Sequence, residues 1–95
     1  MNMPVDRKEL DEFIGNPVVV DTGTPFIYIG TLSHIGGSFI TLKDVDVRHV
    51  DGGGIGKEKY VLSAKKFGIK KNRDCTKVRI DIMTSISFLK DIVEY

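Results

Sequence analysis

Two stretches of alternating apolar and polar residues, joined through a double glycine, constrain this chain more than anything else in it. Residues 26–34 read Phe-Ile-Tyr-Ile-Gly-Thr-Leu-Ser-His, Ile35-Gly36-Gly37-Ser38 turns the chain, and Phe39-Ile40-Thr41-Leu42-Lys43-Asp44 returns. Successive side chains of a strand point to opposite faces, so Phe26, Tyr28 and Leu32 share one face, with Gly30 among them. A glycine at an inward position lets a strand bend sharply or lets another backbone approach. On the return, Ile40 and Leu42 share a face, but Val45 and Val47 continue one residue out of phase. Such a slip flips the buried face and predicts a bulge or corner at Lys43-Asp44. Strands that bend in mid-course belong to small closed barrels.

A chain of 95 residues makes one domain, 1–95, with a single core. No apolar run approaches the ~20 residues that cross a bilayer, so no membrane span is expected. Met1-Asn2-Met3-Pro4 leads into charged residues rather than an apolar stretch, which predicts no secretory signal and a cytoplasmic protein. Cys75 is the only cysteine, which rules out an intrachain disulfide or a cysteine-rich metal site.

Enzyme motifs are incomplete. Gly56-Lys57-Glu58 follows a glycine run, but Asp51 and Glu58 stand where a phosphate-binding loop needs Gly and Ser or Thr. His34 and His49 have no second ligand at metal-binding spacing, so no metal or other cofactor is expected. Asp44 and Asp46 read as edge carboxylates rather than an acid–base pair, and nothing assembles a nucleophile, a base and oxyanion donors. The expectation is a protein that is not an enzyme.

The net charge of +1 conceals a segregation. Residues 1–51 carry eight acids and four bases, a net of −4, and residues 80–95 a net of −2. Between them, residues 57–79 carry nine bases (Lys57, Lys59, Lys65, Lys66, Lys70, Lys71, Arg73, Lys77 and Arg79) against Glu58 and Asp74. A local excess of +7 is a candidate polyanion footprint, because each neutralised phosphate releases condensed counterions. The same run also suits a solvated lysine-rich face.

Along the chain, Asp6-Arg7-Lys8-Glu9 has capping-box spacing, and Leu10, Phe13 and Ile14 follow on one helical face. Gly15 and Pro17 close this N-terminal α-helix over 6–15. Val18-Val19-Val20 is a first strand, and the third strand runs on to Val50. Residues 51–75 form a glycine-rich and basic insertion, in which Tyr60, Val61, Ala64 and Phe67 predict a short helix over 58–67 with Gly68 as its stop. An extended Tyr60-Val61-Leu62 is the alternative for that stretch. A fourth strand follows over 76–83, with Val78, Ile80 and Ile82 on one face, and a turn at Thr84-Ser85 leads to a fifth over 86–89. The fold class is mainly β: a helix, then a small, strongly bent, five-stranded antiparallel barrel.

This pattern resembles the Sm and Sm-like family, including the bacterial Sm-like RNA chaperones, whose barrel is of the SH3-like kind. Tyr28-Ile29-Gly30-Thr31-Leu32, the Gly36-Gly37-Ser38 turn and Phe39-Ile40-Thr41-Leu42-Lys43-Asp44 fall in the order of the family's first motif. Residues 82–89, Ile-Met-Thr-Ser-Ile-Ser-Phe-Leu, look like its second motif in bacterial form. The resemblance covers about 6–50 and 76–90. It implies an RNA-binding protein that closes into a homo-oligomeric ring through strands four and five. The chain departs from the family's uridine-binding pattern, with Gly36 in place of Asp, Ile40 near the Asn position, and Met83-Thr84 in place of Arg-Gly.

Ile and Met cannot read base edges by directed hydrogen bonds, so weak base selectivity is expected. Ser38, Phe39, Met83 and Thr84 remain at the turns, with Phe39 able to stack on a base and Thr84 able to hydrogen-bond one. Phe39 equally suits a core position. Binding to RNA or another single strand would rest mainly on phosphate contacts from the nine cations. A structural ring that meets an acidic protein partner is the alternative function. The alternative fold is an OB barrel, which also binds oligonucleotides and carries a helix between strands three and four.

Overall fold

The computed structural model describes residues 7–51 and 54–94. The elements are a 3-10 helix (Arg7–Phe13), β1 (Pro17–Asp21), β2 (Phe26–Ile35), β3 (Phe39–His49), α1 (Gly54–Phe67), β4 (Arg73–Arg79) and β5 (Ser85–Phe88). Short 3-10 turns at Ile80–Ile82 and Leu89–Asp91 follow β4 and β5. The strands form one antiparallel sheet in the order β4-β3-β2-β1-β5. No four consecutive strands take the 4-1-2-3 order of a Greek key, on which an OB barrel is built. Among the described residues no helix is long and apolar enough to cross a membrane.

The phase slip in β3 is a bulge. Ile29 pairs with Asp46 and Thr31 with Lys43, so Gly30 alone faces two residues, Asp44 and Val45. Asp44 absorbs the extra residue at φ 52°, a region that Asp tolerates better than most side chains. Gly30 is needed here because the partner strand closes over it. A Cβ at Gly30 would lie 3.0 Å from the Lys43 carbonyl oxygen and 3.1 Å from Val45 Cγ2.

The bend brings the two ends of β2 towards each other. The amide of Ile80 donates to Ser38 O at 2.8 Å, beside the β2–β3 turn, and the amide of Thr84 donates to Asp21 O at 2.8 Å, beside the β1–β2 turn. Four residues of chain span at most about 14 Å. A straight strand from Ile27, the partner of Asp21, to Ile35 would span about 27 Å. Only a sharply curled sheet lets so short a connection join the two turns.

The curled sheet is packed along its inner face and, over β1 and β2, on its outer face. On the inner face Val18, Val20, Leu32, Ile40, Leu42, Val45, Val78 and Ile80 are buried with Leu10 of the 3-10 helix. On the outer face Val19, Ile27 and Ile29 are buried under Val61 and Ala64 of α1. The outer layer explains why β2 is apolar at 27 and 29 as well as at 28 and 32. α1 ends where expected: the Gly68 amide donates to Ala64 O at 2.8 Å, and Gly68 takes the positive φ of 92° that suits glycine after a helix.

Several expectations need correction. The N-terminal helix is 3-10 rather than α, and turns closed by i to i+3 bonds from Ile14 N to Asp11 O (3.2 Å) and from Asn16 N to Phe13 O (3.1 Å) follow at its end. At three residues per turn Leu10 and Phe13 align inward, and Ile14 is left 44% exposed. The capping role of Asp6 lies outside the described residues, as do Gly52, Gly53 and Tyr95. Phe26 is exposed at the rim, its ring edge-on to His49 at 5.1 Å, not inward with Tyr28 and Leu32.

The helix in the insertion starts at Gly54, four residues before the expected start, so Tyr60-Val61-Leu62 is helical rather than extended. The fourth strand is shifted back to Arg73–Arg79. Its expected end is a 3-10 turn, because the Ile80 amide is taken by Ser38 O and the Met83 amide folds back on Ile80 O at 3.2 Å. The strand therefore stops short of β5, and the sheet is open between β4 and β5 instead of closed by hydrogen bonds.

Candidate nucleic-acid interface

The nine cations of 57–79 separate into three places. On α1, Lys57 turns back to the end of β1, with Nζ 2.8 Å from Asp21 Oδ1 and 2.5 Å from the Thr24 carbonyl. Its side chain is only 14% exposed. Partial burial by itself would raise the pKa of Asp21. The hydrogen bond from Lys57 and that from the Gly23 amide outweigh it and hold the carboxyl below its usual value. Lys65 donates to the Ile92 carbonyl, and Lys66 pairs with Glu94 at 2.7 Å. Lys59 is exposed and has no side-chain partner among the described residues.

Past the helix, Lys71 bridges Asp74 (3.0 Å) and Asp44 (3.1 Å), and these two hydrogen bonds raise its pKa. Arg73 donates to Asn72 Oδ1 at 3.0 Å, and Lys70 is exposed without a side-chain partner. Asn72 completes the strand ladder with its side chain. Its Oδ1 accepts from Val47 N at 3.1 Å and its Nδ2 donates to Val47 O at 2.9 Å and to Asp46 Oδ1 at 3.2 Å.

Asp46 is 2% exposed and also meets Arg48 at 3.7 Å, while the Arg48 guanidinium lies 4.6 Å from the centre of the Tyr60 ring. The Tyr60 hydroxyl is buried without a hydrogen-bond partner among the described residues. Burial first, and the Asp46 carboxylate second, push its pKa up. This group seats α1 on β3.

The third place is the outer face of β3 and β4, beyond the reach of α1. Phe39 pairs with Arg79, Thr41 with Lys77, and Lys43 with Cys75. Residues directly opposite in an antiparallel pair project from the same face. The intervening pairs, Ile40–Val78 and Leu42–Thr76, point into the inner core. The outer face thus carries Phe39, Lys43, Cys75, Lys77 and Arg79, all exposed, with Phe39 at 42%, around a buried Thr41. Lys43 and Lys77 have no ion-pair partner among the described residues, and Arg79 pairs with exposed Asp81 at 2.6 Å.

Lys43 was not among the residues that charge segregation singled out. Its parity with Phe39 and Thr41 is the signal that would have found it. The turn residues meet at Ile80, whose amide donates to Ser38 O and whose carbonyl accepts from Met83 N. Met83 is half-buried against the inner core. The Thr84 hydroxyl is spent on the Asp21 carbonyl at 3.0 Å.

Beside the free edge of β5, an apolar groove of about 630 Å³ runs along α1 between Val19, Ile27, Val61, Leu62 and Ile92. Among the described residues no cluster of three His, Cys, Asp or Glu side chains forms. No known family model matches the chain, and no curated protein matches it.

Proposed function

We propose that this chain is a non-catalytic, cytoplasmic nucleic-acid-binding module for single strands, RNA foremost. In this reading it is an Sm-like barrel assembled into a homo-oligomeric ring. The observation that carries the reading is the curled sheet ordered β4-β3-β2-β1-β5, with both turns of the family resemblance meeting on Ile80. Two further features support it. β4 and β5 are the unpaired ends of one sheet, and exposed edges are a hazard that pairing between copies removes. Lys43, Lys59, Lys70 and Lys77 are exposed cations without a side-chain partner among the described residues, ready to neutralise phosphates.

The test is binding of single-stranded RNA, single-stranded DNA and duplex over a salt series, beside a native mass measurement. Affinity should fall steeply with salt and differ little between uridine-rich and adenine-rich strands. The native mass should be a multiple of the 10.6 kDa subunit. A monomer at micromolar concentration ends the ring, and absence of binding at low salt ends the nucleic-acid reading.

One observation weighs equally on nucleic acid and on the alternative, a structural ring that meets an acidic protein. Lys57, Lys66, Lys71 and Arg79 already have carboxylate partners in the chain, so much of the basic run is internally neutralised. The exposed pairs of Lys66, Lys71 and Arg79 are weak, about 0–1 kcal/mol, and a phosphate can displace them, whereas Asp21 holds Lys57. That keeps nucleic acid the leading reading.

A further inference from the structure

We infer that the single strand lies along the outer face of β3 and β4, with its phosphates on Lys43, Lys77 and Arg79 and a base stacked on Phe39. This rests on the nucleic-acid reading and names its site, which is neither the helix cations nor the turn residues Met83 and Thr84.

The geometry favours this face for three reasons. α1 covers Val19, Ile27 and Ile29 on the outer side of the sheet, whereas beyond the Gly30 bulge Phe39, Lys43, Lys77 and Arg79 are exposed around a buried Thr41. Lys77 and Arg79 alternate on β4 at a spacing of about 7 Å, close to the step between phosphates of a stretched single strand. Lys43 stands across from Cys75, one alternation from Lys77, so three cations edge one strip of sheet. Among the described residues Lys43 and Lys77 have no ion-pair partner to give up, in contrast to Lys57, Lys66 and Lys71.

Phe39 adds the second chemistry. A large apolar ring 42% exposed at the end of a cationic strip loses water when a base covers it, and every base offers a π-face. Its partner Arg79 stands directly across the ladder, placed to hold the phosphate beside the stacked base. Stacking on a π-face favours single strands over duplex and is tolerant of sequence. His34 and Thr31 continue the polar face on β2, paired with Thr41 and Lys43, and leave room for the strand to extend.

The test uses the full chain and a fluorescent single-stranded RNA of about 12 nucleotides. The double change Lys43→Glu and Lys77→Glu should weaken binding by about tenfold or more. A charge-matched control, Lys59→Glu with Lys70→Glu, should weaken it several times less. Phe39→Ala should cost about fivefold or more on single strands and leave duplex binding unchanged. Thermal melts of each variant report whether the fold is intact. Cys75, the only cysteine, lies on this face, so a benzophenone attached there should crosslink to the RNA in the otherwise unaltered protein.

A larger loss in the Lys59 and Lys70 control, or no crosslink from Cys75 while binding persists, overturns the site and leaves the nucleic-acid reading standing. Phe39→Ala without effect on single strands overturns the stacking. No binding by the native chain at low salt overturns the function itself, and the site with it.

Discussion

Lys57 and Asp21, thirty-six residues apart, form the least exposed ion pair in the molecule among the described residues, at 2.8 Å with the lysine side chain 14% exposed. The pair ties the first turns of α1 to the end of β1, where Thr84 also docks through the Asp21 carbonyl. One residue therefore gathers a helix, a strand and the connection into β5. It also removes a lysine from the cations that look available in the sequence.

The depressed pKa of Asp21 makes this link pH-dependent in a defined direction. A carboxyl lowered on folding stabilises fully above its unfolded value, about 3.9, and the contribution disappears as pH falls through the folded value. Thermal melts of the native chain and of Asp21→Asn should differ most above about pH 4 and converge in stronger acid. A gap that stays constant down to low pH would mean the carboxylate is not the stabilising form.

Gly30→Val should destabilise by about 1–3 kcal/mol, because the new side chain meets the Lys43 carbonyl and Val45 at the bulge. Urea unfolding measures it. Since the bulge is also the bend, the variant should lose more stability than a valine placed at exposed Gly37, where a Cβ meets nothing within 4 Å. Equal losses at the two positions would remove the close approach as the cause.

Asn72→Ala should leave both the amide and the carbonyl of Val47 without their side-chain partner. The loss expected is about 1–3 kcal/mol, with faster hydrogen exchange at the Val47 amide than at Leu42 in the core of the same strand. Unchanged exchange at Val47 would show that solvent already serves that amide.

Val61→Ala tests the outer layer. Val61 is 6% exposed, between α1 and the face formed by Val19, Ile27 and Ile29. Shortening it should cost about 1–2 kcal/mol and loosen the helix before the sheet, visible as earlier exchange of α1 amides than of β2 amides. Simultaneous loss of both would make helix and sheet a single cooperative unit.

How much of this was legible beforehand depended on the range of the interaction involved. The alternation of Tyr28, Leu32, Ile40 and Leu42 and the phase slip before Val45 point to two bent strands and a bulge, because a strand's period is written in neighbouring residues. Gly68 marked the end of α1 for the same local reason. The start of α1 was missed because Gly54 and Gly56 are poor helix formers, and its docked residues, Val61 and Ala64, override that propensity. The end of the fourth strand was missed because its alternation continues to Ile82, while the Ile80 amide is captured by Ser38, forty-two residues away.

The candidate interface shows the same division more sharply. By itself the sequence determined that cations crowd between 57 and 79, that Lys77 and Arg79 share one strand face, and that an aromatic residue follows the glycine turn. Only the tertiary structure decided which charges remain available, by setting Asp21, Asp44 and Glu94 against Lys57, Lys71 and Lys66, and by placing Lys43 and Phe39 across from β4. Periodicity is a property of adjacent residues. Neutralisation and shared faces depend on which distant segments the curled sheet brings within a few ångströms, where the Coulomb interaction and the hydrogen bond act.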